Sequence, residues 1–238
     1  QCYNIADTLI VGQCIGAGAL AAVGSAYTLM VFLISVLLGL AMGSGTVFSL
    51  HYGAGNHVAL RRSIFSSFVL IGIVTLILNV AVFIWLDPIL RLLQVPQDSY
   101  LWIIFCGIVF TFIYNFYASL LRAVGDSVTP LWFLAVSVVL NIALDLFFIL
   151  QLDWGIQGAA AATVLAQGVA ALGIIIYTYR RRPELRWHHE DMCFDRTCLK
   201  EIASFSTLTC VQQSVMNLGI LMIQGLVNSF GTAVMAAF

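Results

Sequence analysis

Two carboxylates stand where a carboxylate is costly. Of the eleven acidic residues in this chain, Asp7 and Asp145 lie inside long apolar runs, whereas the other nine fall in loops or at helix ends. A charged group at the centre of a membrane helix costs about 2.5–3.5 kcal/mol on insertion scales, and such residues usually line a cavity or an ion path. Asn141 precedes Asp145 by four residues and Asn4 precedes Asp7 by three, so each acid shares a helix face with an amide. If the two acids share one pocket, desolvation and like charge both favour a neutral carboxyl, which suits one of the pair to carry a proton near neutral pH. The oxygens of Asp7, Asn4, Asn141 and Asp145 would equally suit a hard cation such as sodium. The bland alternative is that these side chains only hydrogen-bond one helix to another.

The elements that would position them are membrane helices. The chain is 61% hydrophobic and 9% charged, where a soluble domain carries about 25% charged residues, and apolar runs longer than about 18 residues recur along it. Gly, Pro and charge punctuate it into seven expected helices, near 1–15, 25–52, 63–86, 100–121, 130–150, 157–179 and 202–229. The fold class is therefore an all-α polytopic membrane protein. Residues 1–179 form a six-helix N-terminal lobe, 180–200 a cytoplasmic inter-lobe linker, and 201–238 the start of a second lobe. A weak repeat supports the second lobe: a shift of 215 positions aligns Gly16 with Gly231, Ala21 with Ala236 and Ala22 with Ala237. An even number of helices separates the copies, so the lobes share a topology about an axis along the membrane normal. The whole protein is then expected to have about twelve helices. Neither end of the chain looks like a terminus, since it starts at Gln1 inside one apolar stretch and stops at Phe238 inside another.

Arg61, Arg62, Arg122, Arg180, Arg181, Arg182, Arg186, Arg196 and Lys200 fall on one set of alternate loops and Arg91 on the other. The basic set is expected to face the cytoplasm, making this a multi-pass protein of the plasma (bacterial inner) membrane. Asp7, nine residues before Gly16, and Asp145, five before the outer end of its helix, then both sit in the outer half of the bilayer.

Other patterns carry less. A net charge of -1 is no sign of nucleic-acid binding. Six cysteines lie in apolar runs or the basic loop and read as free thiols. Gly16 to Ala21 imitates a dinucleotide fingerprint without the strand that should precede it. His188, His189, Glu190, Asp191, Cys193 and Cys198 match no standard zinc spacing and read as a solvated linker. Asp126, near Arg122 in a cytoplasmic turn, reads as a turn or salt-bridge residue with a lesser role in gating. No catalytic residue, metal site or cofactor is expected, beyond a coupling ion.

The stretches Asn4-Ile5-Ala6-Asp7-Thr8, Ala21-Ala22-Val23-Gly24, Gly53-Ala54-Gly55, Leu121 to Pro130, Leu140-Asn141-Ile142-Ala143-Leu144-Asp145 and Gly158 to Thr163 resemble, in order and spacing, the multidrug and toxic compound extrusion (MATE) family. The resemblance covers the whole chain. It implies a twelve-helix antiporter of two six-helix lobes around a central cleft, exporting drugs in exchange for protons or sodium, and working as a monomer on small amphipathic organic solutes in the lipid bilayer. By position, Asp7, Asp145 and Asn141 look like the coupling residues of the DinF-like branch. Tyr114, Thr163 and Gln167 look like their cleft neighbours, with helix-to-helix hydrogen bonding as the plainer role. NorM-like members carry a membrane-embedded Glu on the seventh helix, where this chain offers Gln212, Gln213 and Asn217. Coupling is therefore expected in the N-terminal lobe. A lipid-linked precursor flippase of the same superfamily would show more charge in its cleft. An intramembrane aspartyl protease also needs two bilayer carboxylates, but its GxGD helix motif is absent and Gly125-Asp126 falls in a loop.

Overall fold

The computed structural model describes residues 17–93, 100–187 and 196–229. Among these there are six α-helices: α1 (Ala17–Gly53), α2 (His57–Leu93), α3 (Tyr100–Ala123), α4 (Val128–Leu146), α5 (Gly155–Arg181) and α6 (Arg196–Ser229). A π-helical turn, Phe147–Gln151, continues α4, and a 3-10 turn, Pro183–Leu185, follows α5. The helix expected over 1–15, with Asp7 and Asn4, lies outside the described residues. Among the described residues, five segments are long and apolar enough to cross a membrane: Leu33–Gly53, His57–Val82, Phe105–Ala123, Val128–Gln151 and Gln157–Arg181.

Four expected boundaries differ by six residues or more. The third helix starts at His57, not near 63, where Asn56 Oδ1 accepts the Ala59 N–H, and the seventh starts at Arg196, not near 202. The second helix is already formed at Ala17, the first described residue, not only from near 25, because Ala19-Leu20-Ala21-Ala22 favours helix strongly enough to offset Gly18 and Gly24. The third runs through Asp87-Pro88 to Leu93 instead of ending at 86. A proline forfeits one backbone hydrogen bond, which membrane helices tolerate by local adjustment better than they tolerate an open chain.

Packing follows residue size. Phe48 on α1, Phe68 on α2, and Phe112 and Phe116 on α3 interlock, with ring centroids 5.9 Å apart for Phe48–Phe116 and 5.2 Å for Phe68–Phe116. Around them Ile64, Ile71, Phe105, Leu121 and Ile174 are fully buried. α5 approaches α3 and α4 through small side chains: Ala159, Ala160, Ala162 and Ala166 are all buried. α6 packs most extensively on α1, and there the contact is backbone to backbone. A Cβ on Gly39 would lie 2.7 Å from Cys210 Cα, and one on Gly43 would lie 2.6 Å from Ser206 N. Cys210 Sγ donates to the Val36 carbonyl (3.4 Å), Ser206 Oγ to that of Leu40 (3.3 Å), and Asn217 Nδ2 to Ser35 Oγ. At the basic end of this seam His51 Nε2 lies 3.6 Å from Glu201 Oε2.

Parts of the stretch 180–200 are helical or packed on the bundle. Arg180 and Arg181 complete α5 and Arg196 to Lys200 begin α6. Between them Leu185 is buried, and Trp187 packs against Phe65 and Phe68 at 5.9 and 5.2 Å. Cys198 is buried beside Val47 and Ile202; the rest of the His/Cys/acid set, 188–193, lies outside the described residues.

Candidate functional site

α4 is built inside out. Its buried residues are Pro130, Ser137, Asn141 and Asp145, while Leu131, Trp132, Val136 and Val139 are exposed. A four-residue spacing places Ser137, Asn141 and Asp145 on one line. In water this arrangement would be unstable, but a helix whose apolar side chains face lipid has no reason to bury them and is free to turn its polar line inward. Asn141 and Asp145 are both 0% exposed.

Thr163 on α5 faces this line. Its hydroxyl donates to the Ala159 carbonyl at 2.9 Å and lies 3.4 Å from Asn141 Nδ2, which donates to it. With its amino group so placed, Asn141 presents Oδ1, a buried oxygen with no hydrogen-bond partner among the described residues. Both Asp145 carboxylate oxygens are buried one helical turn further on. Buried oxygen acceptors gathered on one helix face suit a proton or a hard cation and suit an anionic guest poorly.

The backbone after Asp145 departs from α-helical geometry at once. Leu152 N–H donates to the Phe147 carbonyl at 3.3 Å, a π-type bond, and the chain then turns through Asp153, whose φ is 53°. Phe148 stacks on Trp154 at 5.2 Å and lies against Gly158 at the start of α5. The turn thus fastens the Asp145 end of α4 to α5. π-turns often occur at functional sites.

Gln167 sits one turn from Thr163 along α5, and its Oε1 accepts a 2.8 Å hydrogen bond from Thr111 of α3. Tyr114 is not brought to the others. Its hydroxyl donates at 2.8 Å to the carbonyl of Pro130 in the first turn of α4, and from 130 to 145 is about 22 Å along a helix. Here it ties two helices. Asp7 and Asn4 lie outside the described residues. Ser137 and Thr111 join the site without having been singled out. Ser137 could have been found from its spacing of four before Asn141, but nothing local marks Thr111, which is recruited by the α3–α5 packing.

Thr163→Val keeps the shape and removes the hydroxyl, leaving the buried Asn141 amide without its partner. An unmet buried donor costs about 1–3 kcal/mol, so the melting temperature of the purified protein should fall by about 2–10 °C. An unchanged melting temperature would show that Thr163 does not serve as the partner of the Asn141 amide.

Comparison with known proteins bears on this geometry. The MatE family model matches residues 1–147. The chain is 32% identical over 249 aligned positions to the "Probable multidrug resistance protein YpnP" of Bacillus subtilis, covering 99% of this chain and 54% of that protein. It is 27% identical to the "Probable multidrug resistance protein NorM" of Thermotoga maritima, over 92% of this chain and 49% of the relative. The Vibrio cholerae MATE transporter VcmN in its bent form superposes with a TM-score of 0.86 at 26% identity, covering 99% of this chain and 54% of that one. The chain spans about half the length of the curated relatives it matches.

Proposed function

The chain belongs to the MatE family, and we propose that it forms the ion-coupling half of an antiporter that exports organic solutes in exchange for protons or sodium. Such a protein is a transporter and carries out no covalent chemistry. The observation that carries the coupling role is the buried line Ser137–Asn141–Asp145, capped by Thr163 and set in a helix that is otherwise apolar outward. Relatives named as multidrug resistance proteins support the export reading. The basic end, with Arg61, Arg62, Arg122 and Arg180 to Arg182, faces the cytoplasm in this proposal.

The cycle runs on charge. With the cleft open outward, Asp145, together with Asp7, takes up the ion; neutralisation removes the cost of an apolar environment, the helices repack and the solute is released outward. Loss of the ion to the cytoplasm resets the site. One inward proton supplies about 2.3 kcal/mol per 100 mV and about 1.4 kcal/mol per pH unit, enough for a solute gradient of several hundred-fold under modest forces. A half-cleft walled by these apolar, aromatic-rich helices would suit loosely selected amphipathic solutes.

The test is flux of a cationic dye through the full-length protein in proteoliposomes, driven separately by a pH gradient and by a sodium gradient. Export under at least one gradient, lost in Asp7→Asn, is expected. Dye movement indifferent to both gradients would defeat the proposal.

A further inference from the structure

The turn before α4 does more than reverse the chain. Asp126 Oδ1 accepts the Thr129 backbone N–H at 3.1 Å, capping α4. Its Oδ2 accepts the hydroxyls of Thr129 (2.9 Å) and Tyr177 (3.2 Å) and lies 3.9 Å from Arg182 Nη2. One carboxylate therefore joins three pieces: the start of α4, the end of α5 and the first residue beyond α5. That residue opens a short segment docked across the basic end of the bundle. Arg182 is braced by Glu184 at 3.5 Å, Arg186 Nε donates to the Tyr179 carbonyl at 2.7 Å, Leu185 is buried, and Trp187 lodges against Phe65 and Phe68.

α4 packs chiefly on α5 and little on α3. Besides the Asn141–Thr163 contact and the π-turn toward its far end, it is fastened near its start, by the Asp126 cap and by the Tyr114 bond to Pro130. A helix of 19 residues is stiff over its length of about 28 Å. A tilt of only a few degrees about the Asp126 end would thus carry Asp145 sideways by about 2 Å, enough to open or close a hydrogen-bonded site.

We propose that Asp126 and Arg182 form a positioning junction through which the inter-lobe segment sets the pose of α4, and with it the Ser137–Asn141–Asp145 face. This rests on the reading of α6 as the start of a second lobe that moves against the first. A change in lobe angle pulls on the segment, the segment on Arg182, and Arg182 on the cap of α4. Ion affinity at Asp145 is then tied to the direction in which the cleft is open, which is what tight coupling requires. Burial alone would raise the Asp126 carboxyl, but the Thr129 and Tyr177 hydrogen bonds and the Arg182 charge hold it below the ordinary carboxylate value. The junction consequently stays charged at neutral pH and is released only as pH falls through that lowered value.

The experiment uses the full-length protein in proteoliposomes and reads dye moved per ion moved, and ion leak without dye. Arg182→Gln spares the Thr129 cap and removes the tie. It should lower dye moved per ion by about two- to five-fold, the scale of one partly exposed ion pair, and raise the dye-independent leak. Arg182→Lys should restore most of the ratio. Asp126→Asn should uncouple likewise and also lower the melting temperature. If Arg182→Gln slows dye and ion by one common factor, or leaves the ratio at its unsubstituted value, the junction is structural and the proposal is wrong while the exporter reading stands. If the unsubstituted protein itself shows no coupled export, it is the exporter reading that has failed.

Discussion

Asp145→Asn is expected to abolish ion-driven export while leaving the protein folded and, if anything, more stable. The two halves of that expectation have the same cause. Asp145 is fully buried inside the apolar span Val128–Gln151, where an ionised carboxylate costs up to about 2.5–3.5 kcal/mol, the helix-centre value, and an amide costs less. Asn has the same shape, so neither the packing against α5 nor the π-turn should be disturbed. What disappears is the charge. A buried ion deprived of its charged partner loses about 3–5 kcal/mol, which is about 100-fold or more in affinity, and gradient-driven export should fall on that scale. Melting of the purified full-length protein in detergent should stay level or rise, as it does when a functional residue is held at the expense of stability. A variant that exported at normal rates would remove Asp145 from the coupling site, and one that failed only because it no longer folded would show a fallen melting temperature instead.

Gly43→Ala is the second large effect, and here a single methyl group is the perturbation. Its Cβ would meet Ser206 Cα and N and lie 2.8 Å from the Phe205 carbonyl carbon. These are backbone atoms of α6, so no side chain can swing aside, and the two helices must separate along the seam. Overpacking of this kind costs about 1–3 kcal/mol, and the hydrogen bonds from Ser206 and Cys210 to α1 lengthen with it. Export by the full-length protein should drop about tenfold, and Cys210 should react faster with a maleimide as the seam loosens. Gly53→Ala is the control: nothing lies within 4 Å of its added Cβ, and neither readout should move. If Gly43→Ala matched Gly53→Ala in both, close approach of α1 and α6 would not be part of the working cycle.

How much of this could be read from residue order depends on the range over which each feature is set. The apolar segments are local properties, so α3, α4 and α5 lie where hydropathy, glycine and charge place them, with ends shifted by up to a few residues, while α6 begins six residues earlier, at Arg196. Asp145 and Asn141 stood out for the same reason: a polar group within an apolar run is conspicuous without any knowledge of its neighbours. Boundaries failed where opposing local tendencies nearly balance. Gly18 against an alanine-rich stretch, and Pro88 against the cost of an open chain in lipid, were settled by the membrane helix.

Residue order alone thus determined that the chain is a set of membrane helices, that one of them carries a buried amide and acid on a single face, and that the basic residues gather at alternate turns. Only the tertiary structure decided which groups meet across helices. It put Thr163 on Asn141, joined Thr111 to Gln167, sent Tyr114 to Pro130 at the far end of α4, and drew Asp126 and Arg182 into one junction. The physical reason is that composition and period report each helix's preference for lipid or water, whereas a contact between helices depends on rotation and axial offset. Those are set by small residues such as Ala159, Gly39 and Gly43, whose role is visible only once a partner backbone lies against them.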